Sequence, residues 1–287
     1  MTKQPLVYLS LIITIILWAS AFVGIKAALD GYTPIQLSVW RFIIASLTLL
    51  LISFFKKIDR IILKDLPRFF FIGFTGITIY NLALNYGELN VTVSAASFII
   101  NTVPMLTLLL SIIFLKEKIN SKAYLGTIIS LFGVGLICFA EGGALNLNKS
   151  IFLILLAAFS QSVFFLLQKP LLKKYSPLSL ICYSVWIGTF CLLPFLLLEN
   201  TENLKKASIY NHLSVLYLGV FPGSIGYLTW TYVLSKMNVQ SATVFLYIIP
   251  IITIIIGAIW IKEIPITSTI IGGIITICGV LIFNLKK

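Results

Sequence analysis

A chain of 287 residues that is 59% hydrophobic and 10% charged falls well short of the roughly 25% charged composition of soluble proteins, and its mean hydropathy is +1.06. The formal net charge of +12 would suggest nucleic acid in a soluble chain, but the basic residues sit in short tracts between apolar runs, as membrane topology requires. The composition therefore excludes a soluble enzyme or nucleic-acid binder and makes the lipid bilayer the surrounding phase.

A helix needs about 20 mainly apolar residues to cross a hydrocarbon core of roughly 30 Å. Ten stretches qualify or nearly qualify: 6–28, 36–55, 66–86, 92–114, 121–140, 151–168, 177–198, 211–234, 239–260 and 266–284. The first is longer than a signal-peptide core and is not followed by a small-residue cleavage site, so it reads as a span. Linkers are short except at 56–65, 141–150 and 199–210, which leaves no room for a soluble domain. Cys138, Cys182, Cys191 and Cys278 all lie in apolar runs without metal-type spacing, and read as small apolar fillers.

With a cytoplasmic N-terminus, fifteen of the 21 Lys and Arg fall on the cytoplasmic side, in tracts such as Lys56 to Arg68, Lys116 to Lys122 and Lys169 to Lys174. Five fall outside (Lys26, Lys149, Lys205, Lys206, Lys262), and Arg41 lies within a span. The bias fits the positive-inside rule with both termini cytoplasmic.

The chain also repeats. A shift of 146 residues lays Pro104 on Pro250, Thr107 on Thr253, Lys116-Glu117 on Lys262-Glu263, Gly126 on Gly272 and Gly133-Val134 on Gly279-Val280. Nearer the start of each half the shift is 143, placing Lys26 on Lys169, Tyr32 on Tyr175 and Pro34 on Pro177. Aligned prolines, glycines and charges are informative where aligned Ile or Leu would not be. The expected fold is an all-α integral membrane protein of ten transmembrane helices in two inverted five-helix repeats, 1–142 and 143–287. Five is odd, so the second copy enters from the opposite face, an arrangement on which many secondary transporters are built.

The pattern LWASAFVGIK in the first span, the run from Pro34 to WRF (Trp40 to Phe42), and the paired P…KE features resemble the drug/metabolite transporter superfamily, in its ten-span EamA type. The resemblance covers essentially the whole chain. It implies a permease or exporter with a central cavity, carrying amino acids, other metabolites or drugs.

Polar side chains inside spans should turn from lipid toward the bundle interior. Ser94, Ser97 and Asn101 share one helical face, as do Gln240, Thr243 and Tyr247 in the matching register. The small hydroxyls have a second reading, bonding their own helix backbone. Midspan Trp18 and Gln161, with Tyr80, Asn81, Tyr227 and Trp230, complete the expected substrate cavity: Trp18, Tyr80, Asn81, Asn101, Gln161, Tyr227, Trp230 and Tyr247. Pro104 and Pro250 should each remove a backbone bond and kink their spans. Arg41 reads as a structural or gating residue, with a substrate carboxylate as the alternative partner; Lys26 reads as snorkelling to the interface.

All nine acidic residues fall in loops or at span ends, so a midmembrane carboxylate for proton antiport is not expected, and neutral or zwitterionic cargo is favoured over organic cations. His212 reads as an interfacial surface residue. HExxH, paired intramembrane aspartates, a Ser-His couple at depth and Walker A are all absent from the sequence, which argues against an enzyme or ATP-driven pump. No cofactor or metal is implied. The expected function is a secondary transporter of small organic metabolites, most plausibly amino acids or related zwitterionic or neutral compounds, in the inner membrane. The alternatives are a drug, nucleoside or vitamin carrier, and a membrane assembly or lipid-handling protein that reuses the fold.

Overall fold

The computed structural model describes residues 4–115, 121–142, 149–200 and 202–284, and among them every regular element is helical. The first five expected spans correspond to α1 (Gln4–Leu29), α2 (Pro34–Phe55), α3 and α4 (Leu66–Gly73, Tyr80–Glu88), α5 and α6 (Val93–Ile100, Val103–Leu115) and α7 (Ser121–Gly142). The next five correspond to α8 (Lys149–Leu171), α9 (Pro177–Leu196), α11 and α12 (Ile209–Val220, Tyr227–Lys236), α13 and α14 (Val239–Thr243, Ile249–Trp260) and α15 (Thr267–Asn284), with a short α10 (Glu202–Lys206) before α11. Among the described residues eight helical stretches are long and apolar enough to cross a membrane; within α7 and α15 the apolar stretches are shorter, Ile128–Ile137 and Thr267–Gly279.

The same local devices recur along the chain. Thr33 and Ser176 are N-caps whose side chains accept from the Gln36 and Ser179 N–H groups, each followed by a proline at the first helical position, where its missing donor costs nothing. Helices α3 and α4 are joined through a π-helical turn, Phe74–Ile79, and α11 and α12 through another, Phe221–Gly226. A π turn frees carbonyls from the α ladder. Ser160 Oγ donates to Thr75 O at 3.0 Å and Tyr227 Oη to Gly76 O at 3.2 Å, so these buried acceptors are satisfied.

Two lysines expected to reach water do something else. Lys26 Nζ donates to Glu88 O at 2.8 Å and Val91 O at 3.2 Å, while Lys169 Nζ donates to Leu234 O at 2.6 Å and Met237 O at 2.7 Å. Each closes the carbonyl end of a helix, where the last turn has no intrahelical partners. Lys26 thus caps α4, because the end of that helix lies beside it and carries unsatisfied acceptors.

The proline expectation is also corrected. Span four is broken at Asn101–Thr102, with Asn101 at φ −68°, ψ 1°, and the helix restarts with Pro104 as its second residue. Span nine passes from α13 through a 3-10 stretch, Val244–Ile248, before α14 restarts with Pro250 as its second residue. Both prolines therefore begin new helices rather than kink continuous ones, so neither removes a ladder bond. The Lys262-Glu263 pair ends α14: Lys262 has a left-handed φ of 56°, and Glu263 Oε1 accepts from the Val93 N–H at 2.8 Å, capping α5. Its counterpart Lys116-Glu117 lies outside the described residues.

Helices α7 and α15 cross through small residues. A Cβ at Gly133 would lie 2.6 Å from Gly272 O, and a Cβ at Gly279 would lie 2.7 Å from Gly126 O. Only glycine allows backbones so close, and close approach is what holds helices together where no hydrophobic effect acts between them. The contact is reciprocal: 133 meets 272 as 279 meets 126.

The loop between α2 and α3 is pinned to the connection between α8 and α9. Asp59 Oδ2 accepts from the Ser176 N–H at 2.7 Å and Ser179 Oγ at 2.9 Å, and Asp65 pairs with Lys174 at 3.0 Å. At the other end Tyr32 Oη bonds His212 Nδ1 at 2.6 Å, so His212 is half-buried rather than a free surface group.

Candidate functional site

A cavity lies where α1, α2, α4, α5, α6, α8, α12, the 3-10 stretch and α14 converge, lined by Trp18, Ala21, Phe22, Ile25, Arg41, Tyr80, Leu84, Ile100, Asn101, Val103, Pro104, Gln161, Phe165, Tyr227, Leu246 and Ile249. Its volume is about 40 Å³, far below that of a cavity holding an organic metabolite. A bound organic substrate would need the walls to part.

Much of the lining is paired by the sequence offsets. Trp18 and Gln161, and Phe22 and Phe165, differ by 143; Ile100 and Leu246, and Val103 and Ile249, differ by 146; Tyr80 and Tyr227 are each the first residue after a π turn. The remaining lining residues all come from the first part of the chain, and they include Arg41 and Asn101.

Aromatic packing fixes the wall. Trp18 stacks on Phe165 at 6.1 Å and 6°, meets Tyr227 edge-on at 5.6 Å, and leans on Trp230 at 5.4 Å. Trp230 is fully buried behind Trp18 and Phe165, out of the cavity. The absence of a side chain at Gly226 leaves room for the Trp18 indole, which a Cβ there would approach to 3.0 Å.

Arg41 is 3% exposed. Its Nη1 donates to Asn81 Oδ1 at 3.1 Å, and Asn81 Nδ2 donates to Ile77 O at 2.8 Å. Asn81 is thus a positioning residue behind the guanidinium, not a lining one. Asn85 braces the same region, donating to Ser38 Oγ at 2.8 Å. The Arg41 Nε, the Asn101 Oδ1 and the Gln161 Oε1 are buried with no hydrogen-bond partner among the described residues. Native proteins satisfy nearly all such atoms, and these three belong to residues that line one cavity.

Of the eight expected cavity residues, the structure brings Trp18, Tyr80, Asn101, Gln161 and Tyr227 to the cavity, with Arg41 and Pro104 beside them. Asn81 and Trp230 stand one layer back. Tyr247 packs with Met105 in a separate apolar cluster, and Pro250 is buried off the lining. The reason is local geometry. A shared face with Gln240 and Thr243 assumes α periodicity, but the 3-10 stretch has three residues per turn. Leu246 and Ile249 face the cavity together, and Tyr247 and Pro250 turn away. Ser97 Oγ bonds Ser94 O at 2.7 Å and Thr243 Oγ1 bonds Gln240 O at 3.1 Å, the backbone-bonding role of small hydroxyls. The apolar lining residues carry no sequence signal that separates them from lipid-facing ones; only the Phe22–Phe165 offset could have marked that pair.

An all-helical membrane fold around an interior cavity is an architecture that carrier-type proteins use. The chain belongs to the EamA-like transporter family, whose model matches it twice, at residues 5–139 and 148–285. It is 40% identical to the uncharacterized transporter YdfC of Bacillus subtilis, over 94% of this chain and 88% of the relative. It is 34% identical to a probable terminal-alkyne amino-acid exporter of Streptantibioticus cattleyicolor, over 96% of this chain and 92% of the relative. A crystal structure of a protein 16% identical superposes with a TM-score of 0.70 over 97% of both chains, which shows a shared fold.

Proposed function

We propose that this chain is a secondary transporter that moves amino acids or related zwitterions across the inner membrane by alternating access. The observation that carries the reading is that three residues lining one aromatic-walled cavity, Arg41, Asn101 and Gln161, each hold a buried polar atom with no hydrogen-bond partner among the described residues. The Arg41 guanidinium edge suits a carboxylate; Asn101 Oδ1 and Gln161 Oε1, both acceptors, suit an ammonium. Among the described residues that line the cavity there is no acidic side chain, which disfavours simple organic cations. The amino-acid exporter similarity supports the same cargo class.

The architecture in this reading is ten spans in two inverted five-helix repeats, 1–142 and 143–287, with both termini cytoplasmic. The double family match, the paired lysine caps and π turns, and the reciprocal α7–α15 crossing all support it. Reciprocity, where i meets j′ as i′ meets j, is the signature of a two-fold relation. Inverted halves about a central site can exchange inward- and outward-open states, which would supply the room that the present cavity lacks.

The test is counterflow in proteoliposomes with a panel of radiolabelled neutral amino acids, nucleosides and vitamins. Uptake of at least one amino acid well above protein-free vesicles is expected. Movement of nucleosides or vitamins alone, or of nothing in the panel, would overturn the reading.

A further inference from the structure

The cavity reaches further at one end than at the other. The lysine caps fix how the two ends correspond: Lys26 holds the carbonyls of residues 88 and 91, and Lys169 those of 234 and 237, at the offsets of 143 and 146. In that register Phe22 matches Phe165, Ile25 matches Gln168 and Leu84 matches Trp230. Phe22, Ile25 and Leu84 all line the cavity, whereas of their counterparts only Phe165 does. The cavity therefore runs past one phenylalanine toward the ends of α1 and α4, and stops at the other before the ends of α8 and α12.

An aromatic stack closes the shorter end. Trp18 lies on Phe165, and Trp230 rests against both, at 5.4 Å from Trp18 and 4.7 Å from Phe165. Gln161, Phe165 and Gln168 follow one another at i, i+4 and i+7 on one face of α8, so Gln168 continues the cavity wall one turn beyond Phe165. Gln168 and Trp230 are both 0% exposed, and the Gln168 Nε2 and the Trp230 Nε1 have no hydrogen-bond partner among the described residues. The Gln168 Oε1 meets the Thr231 hydroxyl at 3.1 Å, so whichever way the amide is turned, one of its ends stays open. The indole of Trp230 can only donate. The scaffold does not require polar groups here, since buried Ile25 and Leu84 fill the matching places with hydrocarbon.

We propose that Gln168 and Trp230 form a second substrate half-site, which opens when the aromatic stack parts and takes the carboxylate of an amino acid passing between the cavity and the face where α8 and α12 end. This rests on the zwitterion and alternating-access reading above. When inverted halves trade conformations, matched positions trade surroundings: Ile25 and Leu84 leave the cavity, and Gln168 and Trp230 join its lining. The indole N–H and the amide N–H then donate to a carboxylate. An ammonium, itself only a donor, finds no partner at the indole. The route past Ile25 and Leu84 offers hydrocarbon in place of these contacts, so the two faces of the transporter hold the substrate unequally.

The test compares right-side-out with inside-out membrane vesicles. In the full chain with its four native cysteines changed to alanine, a membrane-impermeant thiosulfonate should label Gln168→Cys from the face where α8 ends, and Ile25→Cys from the opposite face. No labelling of Gln168→Cys from either face, or labelling of both variants from one face, overturns the proposal, and this arm needs no substrate. The second arm measures KM for radiolabelled L-leucine and L-alanine from each face. Gln168→Met leaves Thr231 on the Tyr227 carbonyl at 2.8 Å, so it strands no group. It should raise the ratio of KM at the α8 face to KM at the other face about tenfold, the loss of one hydrogen bond to a charged group. Trp230→Phe, which keeps a ring and removes the N–H, should raise the same ratio; damage to the scaffold alone would weaken both faces together. A ratio unchanged in both variants overturns the proposal and leaves the transport reading intact. If no amino acid is moved from either face, the transport reading falls and the half-site with it.

Discussion

The two segments matched by the family model, residues 5–139 and 148–285, share local devices and differ in their chemistry. Thr33 and Ser176, Lys26 and Lys169, the two π turns and the crossing glycines do the same physical work at matching positions. Arg41 faces Ser184 at the equivalent place, and Asn101 faces Tyr247. Features needed to satisfy the backbone in lipid persist in both copies, since an unsatisfied group costs the same in either. A charge in the interior is expensive and needs one substrate's reason, so it stands once.

That contrast can be broken, and the largest effect should fall on Arg41. Replacing it by alanine removes a charge-assisted contact of about 1.5–3 kcal/mol, so affinity for a carboxylate substrate should fall about 10- to 150-fold in counterflow, whereas Ser184→Ala should leave it nearly unchanged. Arg41→Lys should not restore binding, because the ammonium lacks the planar fork. Equal loss at Arg41 and Ser184 would remove the functional asymmetry.

The scaffold should instead respond symmetrically. Gly133→Val and Gly279→Val each push a side chain into the facing backbone, at about 1–3 kcal/mol for overpacking, and thermal unfolding in detergent should show similar drops for both. Clearly unequal drops would break the two-fold account of the α7–α15 crossing. Lys26→Met and Lys169→Met should each cost about 1–3 kcal/mol by uncovering helix-end carbonyls, measured by the same melting assay.

The smallest effect is expected at the loop clamp. The Ser176 backbone N–H, with the Ser176 and Ser179 hydroxyls, holds the Asp59 carboxyl below the ordinary carboxylate range. A lowered value means the stabilisation is present above the ordinary pKa of about 3.9 and is lost as pH falls through the lowered one. The group is largely exposed, so Asp59→Asn should cost under about 1 kcal/mol at neutral pH, and the difference from wild type should vanish in acid.

The helices and the repeat were legible because apolar length, proline, glycine and charge are periodic signals that survive in one sequence. Trp18, Tyr80, Asn101, Gln161 and Tyr227 were legible as cavity residues because a polar tip at midspan has to turn inward. Tyr247 was not, since nothing in VFLYI announces a 3-10 stretch that rotates the face by a fraction of a turn. Lys26 and Glu88 were misplaced for one shared reason. Position near a span end was taken as access to water, whereas the end of α4 packs beside α1, buries the Glu88 side chain and gives Lys26 backbone carbonyls to bond.

The glycine crossing of α7 and α15 has a mechanical meaning. In the proposed exchange between two halves, points on the symmetry axis map onto themselves and need not move, so Ser130 and Thr276, which match at the 146-residue offset and lie between the crossing glycines, would be its fulcrum. A disulfide or short cross-linker joining S130C to T276C should leave counterflow intact, while one joining α4 to α12 across the cavity should arrest it.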